Sequence, residues 1–196
     1  MLKRSFDIFF SFFGLIILSP LFLLIFVMVK TDSKGPVIYK QTRVGKNGKD
    51  FAVLKFRSMK QDSDSKGLLT VGGKDPRITK TGYFIRKYKL DELPQLINVL
   101  KGDMSFVGPR PEVRKYVLLY DEVQKKVLDV NPGITDVASI KYRNENEMLE
   151  GSDDPESFYI KEIMPVKLKM NLEYINDRSF FKDIKVILNT LKTVFT

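Results

Sequence analysis

Cysteine and histidine are both absent from the 196 residues. Without cysteine, neither disulfides nor thiolate metal sites are available. Without histidine, general acid or base work falls to carboxylates, lysine or tyrosine. A dinucleotide fingerprint, a Walker A sequence, tandem repeats and low-complexity tracts are missing too, and Gly72-Gly73 is too little for a phosphate loop. Positive charge, by contrast, is abundant: 33 Lys and Arg stand against 24 Asp and Glu, a net +9. That balance favours anionic partners such as lipid headgroups, phosphorylated ligands or nucleic acid, and does not choose among them. The length suits one compact domain with a small appendage.

The appendage is the N-terminal segment. From Ile8 to Val29 the chain is uncharged and rich in Phe, Leu and Ile; as a straight helix it would reach ~33 Å, about the hydrocarbon thickness of a bilayer. A cleaved signal peptide is disfavoured, because no small-x-small site follows and the apolar run exceeds a typical signal core. Pro20 removes a backbone donor near the centre of the run, so a bend is expected there, with Ser19 placed to satisfy the freed carbonyl. Lys3 and Arg4 precede the run, and Lys30, Lys34, Lys40 and Arg43 follow it. Basic residues on both sides suit a re-entrant helix with both ends cytoplasmic, although a bent span remains open.

The most informative stretch is Leu90 to Pro111. Asp91 and Glu92 stand side by side before Pro94 and an apolar run that ends at Lys101-Gly102, the punctuation of a short helix with Pro near its start and Gly past its end. Two carboxylates therefore sit at a helix N-terminus, where N–H groups and the helix dipole attract anions, phosphates included. Eight residues past Gly102, Arg110 is held between Pro109 and Pro111, so it is presented by stiff chain. A guanidinium matches phosphate with two parallel donors, and a carboxylate can attack phosphorus or bind Mg²⁺. Each feature alone is ordinary capping or surface pairing; together they point to phosphoryl chemistry.

Elsewhere the pattern is coarser. Val37–Tyr39 and Phe51–Leu54, joined through Gly45–Lys49, read as a β-hairpin whose second strand projects Lys55 and Arg57 to one side, towards a diphosphate or towards solvent. Gln61 to Lys74 reads as a polar, Gly-rich loop or lid. A single amphipathic helix is expected over Glu112 to Val130, an extended segment over Ile134 to Tyr142, and a last helix over Phe180 to Phe195. In that last helix Phe181, Ile184, Leu188, Leu191 and Phe195 lie near one face, either core or membrane interface.

The ordered runs Lys55-Phe56-Arg57-Ser58-Met59, Asp75-Pro76-Arg77-Ile78-Thr79, Leu90-Asp91-Glu92-Leu93-Pro94-Gln95, Lys101-Gly102-Asp103-Met104-Ser105, Gly108-Pro109-Arg110-Pro111 and Pro132-Gly133-Ile134-Thr135 resemble the monotopic phosphoglycosyl transferases, the bacterial sugar transferase family. The resemblance covers nearly the whole chain. It implies transfer of a sugar-1-phosphate from a UDP-sugar to a membrane polyprenol (undecaprenyl) phosphate, releasing UMP. It further implies a Ser19-Pro20 break that turns the helix back to one leaflet, a site role for Lys55, and phosphate or lipid contacts by Arg86. Arg143 resembles a position near the nucleotide-sugar. Asp136-Val137-Ala138-Ser139, an acidic insertion over 144–165, and Asn171 where many members carry Asp depart from the family pattern, which bears on which sugar is used.

The expected architecture is an α/β or α+β cytosolic catalytic domain, residues 31–196, fastened to the bacterial inner membrane by a re-entrant helix, residues 1–30, and by amphipathic interfacial helices. In the expected mechanism Asp91 attacks the β-phosphorus and carries the phosphosugar, with Glu92 beside it, Mg²⁺ held by Asp91 and Glu92, and Arg110 on the phosphates. The partners are then a UDP-sugar donor, a polyprenol phosphate acceptor and membrane lipid. No nucleic acid is expected, and the sequence leaves a monomer or dimer open. A catalytically silent, membrane-tethered binding module for sugar nucleotide or anionic lipid is the alternative.

Overall fold

Alternating β-branched and polar residues build the first part of the domain. In the computed structural model, which describes residues 2–61, 63, 67, 69–72 and 75–195 and not the side chains of 194 and 195, strands β1 (Ile38–Val44) and β2 (Asp50–Phe56) pair antiparallel, with Ile38 opposite Phe56 and Val44 opposite Asp50. Asn47 and Gly48 take positive φ in the connecting turn, the conformation that tight hairpins need. The hairpin predicted from sequence is present, with longer strands. The outer edge of β2 is not left open. Leu54 N donates to Asn98 Oδ1 at 3.0 Å and Asn98 Nδ2 donates to Ala52 O at 2.8 Å, so one amide does the work of a third strand and fixes helix α4 (Gln95–Lys101) against the hairpin.

Before the hairpin lie α1 (Leu2–Ile17) and α2 (Ser19–Asp32), bent by 62° at the Ser19-Pro20 break. Among the described residues no single helix is long and apolar enough to cross a membrane. Ser19 Oγ donates to Ile16 O at 2.7 Å, the carbonyl that Pro20 cannot reach. Ile25 and Val29 of α2 pack with Val37, Phe56 and Ile85, the last from α3 (Lys80–Lys87). Arg57 is buried just past β2, and its guanidinium donates to the carbonyls of Val29, Ser33 and Lys34 at the end of α2. It caps a helix and does not accompany Lys55 towards the site, because β2 ends one residue earlier.

The second half is mostly helical. A parallel pair, β3 (Ser105–Val107) and β4 (Gly133–Thr135), joins Ser105 to Gly133 and Val107 to Thr135. Between the two strands lie α5 (Arg114–Val117) and a 3-10 segment (Gln124–Asp129), and after β4 come α6 (Val137–Lys141), α7 (Glu145–Glu150), α8 (Pro155–Phe158), a π turn (Tyr159–Ile163), α9 (Met164–Asn176) and α10 (Phe180–Phe195). Val113, Tyr116, Val117, Tyr120 and Val127 are buried with Tyr159, Ile163 and Leu168.

Two expected elements are corrected. The single helix over 112–130 is broken, because the Asp121 side chain accepts from Val123 N and Gln124 N, both at 2.8 Å, and starts a new turn; Val123 is left exposed. The segment 134–142 is extended only to Thr135, since buried Asp136 caps α6 by accepting from Ala138 N at 2.7 Å and Ser139 N at 2.9 Å. The last helix is present. Asp183 and Val186 face inward on it, while Phe181, Leu188 and Leu191 are exposed, so its apolar stripe is not core; Phe195 falls outside the described side chains.

Candidate active site

Lys89 takes a left-handed conformation, φ +55°, rare for a residue with a side chain, directly before the 3-10 turn Leu90–Glu92. That reversal lets Leu90 and Leu93 pack on the α2–β2–α3 core while the two carboxylates turn the other way. Asp91 and Glu92 therefore lie one turn ahead of α4, with Pro94 in its N-cap position.

The two carboxylates have different company. Glu92 accepts from Arg110 through both oxygens and from Lys55 Nζ at 3.4 Å. Burial works to raise its pKa, but Arg110 and then Lys55 outweigh it and hold it well below the ordinary range. Asp91 is buried and its Oδ1 has no hydrogen-bond partner. Its pKa is raised, chiefly by burial and next by the Glu92 charge, with Lys55, Arg86 and Lys89 pulling it back. Lys55 is lowered to about 8, mainly by burial; Glu92 opposes the shift, and Arg110 and Arg43 add to it. A buried carboxylate with an unoccupied oxygen thus faces a group of cations that its neighbour neutralises.

Arg110 is set in place from below. A Cβ on Gly108 would meet Asn131 O at 2.4 Å, and one on Gly133 would meet Gly108 N at 2.2 Å, so only glycines let the two strand ends touch. Gly108 N donates to Thr135 O at 3.1 Å and Gly133 N to Pro109 O at 3.0 Å. On the other flank Glu112 takes Arg43 Nη1 at 2.9 Å and the Tyr159 hydroxyl, and Arg43 also reaches Pro111 O at 3.3 Å.

The sequence model described as "Bacterial sugar transferase" matches residues 1–196. The chain belongs to the bacterial sugar transferase family. It is 40% identical over 193 residues to the "Uncharacterized sugar transferase EpsL" of Bacillus subtilis (strain 168), covering 98% of this chain and 87% of that protein. It is 39% identical over 199 residues to the "UDP-glucose:undecaprenyl-phosphate glucose-1-phosphate transferase" of Escherichia coli (strain K12), covering 97% of this chain and 39% of that protein. It is 36% identical over 200 residues to the "UDP-N-acetylgalactosamine-undecaprenyl-phosphate N-acetylgalactosaminephosphotransferase" of Aeromonas hydrophila, covering 100% of this chain and 44% of that protein. The chain thus spans less than half the length of these last two relatives.

Of the residues expected at the transferase site, Asp91, Glu92, Lys55 and Arg110 come together. Arg86 stands beside them on α3, its guanidinium donating to Thr70 Oγ1 at 3.1 Å and acting on Asp91 through charge. Arg143 is exposed in the turn between α6 and α7, and no hydrogen bond or ion pair joins it to the dyad among the described residues. The expected 61–74 loop lies partly outside those residues; in the described part, Arg77 gathers the carbonyls of Gly67 and Leu69, and Gly72 N donates to Asn146 O at 2.9 Å.

Among the described residues no three carboxylates gather into a metal cage. That is compatible with Mg²⁺ carried by a diphosphate, which needs only one or two protein carboxylates. The unpartnered Asp91 oxygen fits such a role; Glu92 would have to release an arginine contact first. Asn98 and the Arg43–Glu112–Tyr159 group were not anticipated. The former resembles any helix-surface amide in sequence, and the latter joins residues up to 116 positions apart.

Proposed function

We propose that the chain transfers a sugar-1-phosphate from a UDP-sugar to undecaprenyl phosphate at the membrane, with Asp91 as the nucleophile. The observation that carries this reading is the contrast within the dyad. Glu92 is ionised and spoken for by Arg110 and Lys55, whereas Asp91 offers a buried oxygen without a partner. The Escherichia and Aeromonas relatives are named for this reaction with UDP-glucose and UDP-N-acetylgalactosamine donors.

In the first step an Asp91 oxygen bonds to the β-phosphorus, and the bond from that phosphorus to the bridging oxygen breaks, so UMP leaves with the electron pair. The phosphosugar stays on the carboxylate as an acyl phosphate. In the second step a phosphate oxygen of the polyprenol attacks the same phosphorus and Asp91 departs as a carboxylate. Arg110 and Lys55 hold phosphate oxygens whose charge grows in each transition state. Glu92 keeps those cations neutralised and oriented until the donor arrives. Asp91 and Glu92 would hold a Mg²⁺ ion that arrives with the diphosphate, and the ion would supply further charge neutralisation for the departing UMP.

The acceptor's phosphate lies at the headgroup boundary, and the bent helix pair is suited to hold the site there. At ~1.5 Å per residue its arms measure about 24 and 21 Å, so the 62° bend sets the apex about 12 Å off the line joining its ends, against about 30 Å of hydrocarbon. Both ends are tied to one domain. Arg4 donates to Val99 O and Leu100 O, and Lys3 pairs with Asp183 at 2.6 Å; at the other end Asp32 accepts from Thr81 N. Phe9, Phe12, Phe13, Ile17, Leu23 and Phe26, exposed in between, enter one leaflet. The Phe181–Leu188–Leu191 stripe lies in the interface, and the domain faces the cytoplasm.

Intact-protein mass in detergent, with Mg²⁺ and a panel of UDP-sugars but no acceptor, tests the reading. A mass gain of one phosphosugar, absent in Asp91→Asn and discharged by polyprenol phosphate, is expected. UMP release that requires acceptor and survives Asp91→Asn would replace the covalent route by direct transfer.

A further inference from the structure

Helix α3 carries aromatic rings that its packing does not use. Thr79 caps its start by accepting from Gly82 N at 3.0 Å, and Gly82 and Ile85 form its buried face. Thr81 N donates to Asp32 Oδ2 at 2.8 Å, at the end of α2, and Ile85 lies in the cluster that holds Ile25 and Val29; α3 therefore runs back along α2. Phe84 and Tyr88 stand one turn apart on the outer side. They are 49% and 38% exposed, and their ring centroids lie 5.3 Å apart. Lys87 sits over the Tyr88 ring, 5.5 Å from its centroid. The neighbouring Tyr83 is committed elsewhere, its hydroxyl donating to Asp75 O at 2.9 Å.

We propose that the Phe84–Tyr88 face of α3 holds the part of the acceptor's isoprenoid chain next to its phosphate, and so delivers that phosphate to Asp91. The inference rests on the polyprenol phosphate acceptor of the proposed reaction. Three observations converge on this occupant. The first is where α3 ends. Tyr88 is followed by the left-handed Lys89 and, two residues further, by Asp91, so a chain lying along the helix has its head at the nucleophile. The second is charge: Arg86, Lys87 and Lys89 gather at that end, and Arg86 and Lys89 both act on Asp91. An anion joined to an apolar chain matches cations joined to aromatic rings. The third is continuity with the membrane helix pair. The α2 helix, against which α3 packs, leaves Leu23, Leu24 and Val27 exposed, so one pair of helices offers both the lipid-facing aliphatics and the aromatic face. The eight residues of α3 span ~12 Å, room for the units of chain nearest the phosphate while the remainder stays in the bilayer. A bulk phospholipid also joins a phosphate to apolar chains, but it has no reaction at the dyad to which this face leads.

The test separates the two half-reactions in detergent, for the wild type and for a double variant, Phe84→Gln with Tyr88→Gln, at exposed positions where a polar side chain is tolerated. The adduct is formed from UDP-sugar alone and then discharged by undecaprenyl phosphate or by dimethylallyl phosphate, whose chain is one isoprene unit. Adduct formation should be unchanged in the variant. The undecaprenyl phosphate concentration for half-maximal discharge should rise about tenfold, the loss of an apolar contact, with little change for dimethylallyl phosphate. Phe84→Leu with Tyr88→Leu keeps the face apolar and should behave as the wild type. An unchanged half-maximal concentration, an equal loss with both acceptors, or a fall in adduct formation would each overturn the assignment. If the glutamine variant loses only its flotation with phosphatidylglycerol vesicles and is discharged normally in detergent, the face meets bulk lipid and the assignment is wrong. No adduct in the wild type with any UDP-sugar would remove the reaction on which the face depends, and the face with it; an adduct discharged equally well in wild type and variant removes the face alone.

Discussion

Asp91 and Glu92 differ by one methylene and by everything around them. Because Asp91 is buried without a partner for Oδ1, its charge is retained for chemistry at a cost to the fold. Asp91→Asn should therefore lower turnover by at least about a thousandfold while raising stability by about 1 kcal/mol, or ~2–4 °C in Tm for a chain of this size; calorimetry beside the UMP-release assay checks both. A Tm that falls would mean that Asp91 is a structural anchor. Lys55 gives a second expectation. Its pKa is lowered from 10.5 to about 8, so kcat/KM should decline as pH rises through about 8 and the phosphate loses a cation. The decline is not unfolding: a lysine whose folded pKa is depressed binds fewer protons folded than unfolded between about 8 and 10.5, so its own contribution to stability grows with pH in that window. Lys55→Arg, which stays charged, should move the basic limb upward; an unchanged limb would assign it to another group.

At the scale of elements, the Pro109–Pro111 strip matters because it converts packing far from the phosphates into the placement of one guanidinium. Glu112 ties it to Arg43 and to the Tyr159 hydroxyl. Tyr159→Phe removes that donor without changing the ring, and should lower kcat/KM by about tenfold through misplacement of Arg110, with a loss of about 1 kcal/mol in stability. Stability loss with unaltered kinetics would reduce the tie to a core contact. The hairpin, the 95–101 helix and the amphipathic last helix were legible because each carries its own period and punctuation: Gly45 to Lys49 for the turn, Gly102 for the helix end, the Phe181-Leu188-Leu191 spacing for the stripe. The 112–130 region was not, since Val113, Tyr116, Val117, Tyr120 and Val127 keep a helical rhythm across a chain that Asp121 breaks with two hydrogen bonds. Ile134 to Tyr142 failed for the matching reason, a cap at Asp136 hidden in a run of β-formers. The dyad and Arg110 were legible as neighbours in chemistry; that Glu92, not a ligand, occupies Arg110 follows only from the fold.

For the whole molecule, the bent helix pair makes a claim about sidedness. A spanning helix would place its two ends on opposite faces of the bilayer, yet Arg4 grips the end of α4 and Asp32 grips the start of α3, and both helices belong to the same domain. The ties also limit how far the apex can sink, because straightening the pair would pull Lys3 from Asp183. The absence of cysteine makes the claim simple to check: single substitutions Leu2→Cys and Lys30→Cys, at exposed positions near the two ends, can be labelled with a membrane-impermeant thiol reagent in sealed vesicles. Both should react from the face that carries the domain, and Ile17→Cys at the apex should be protected from either side. Reaction of the two end positions from opposite faces would make the pair a spanning helix and would break the anchoring contacts on which the placement of the site depends. Pro20→Leu pushes in that direction by restoring the backbone donor that would bond Ile16 O in a continuous helix, a net gain of about 1 kcal/mol. Under the proposed mechanism, in which the helix pair presents the acceptor and takes no part in opening the donor, it should cut turnover on membrane-embedded polyprenol phosphate while leaving formation of the phosphosugar adduct intact.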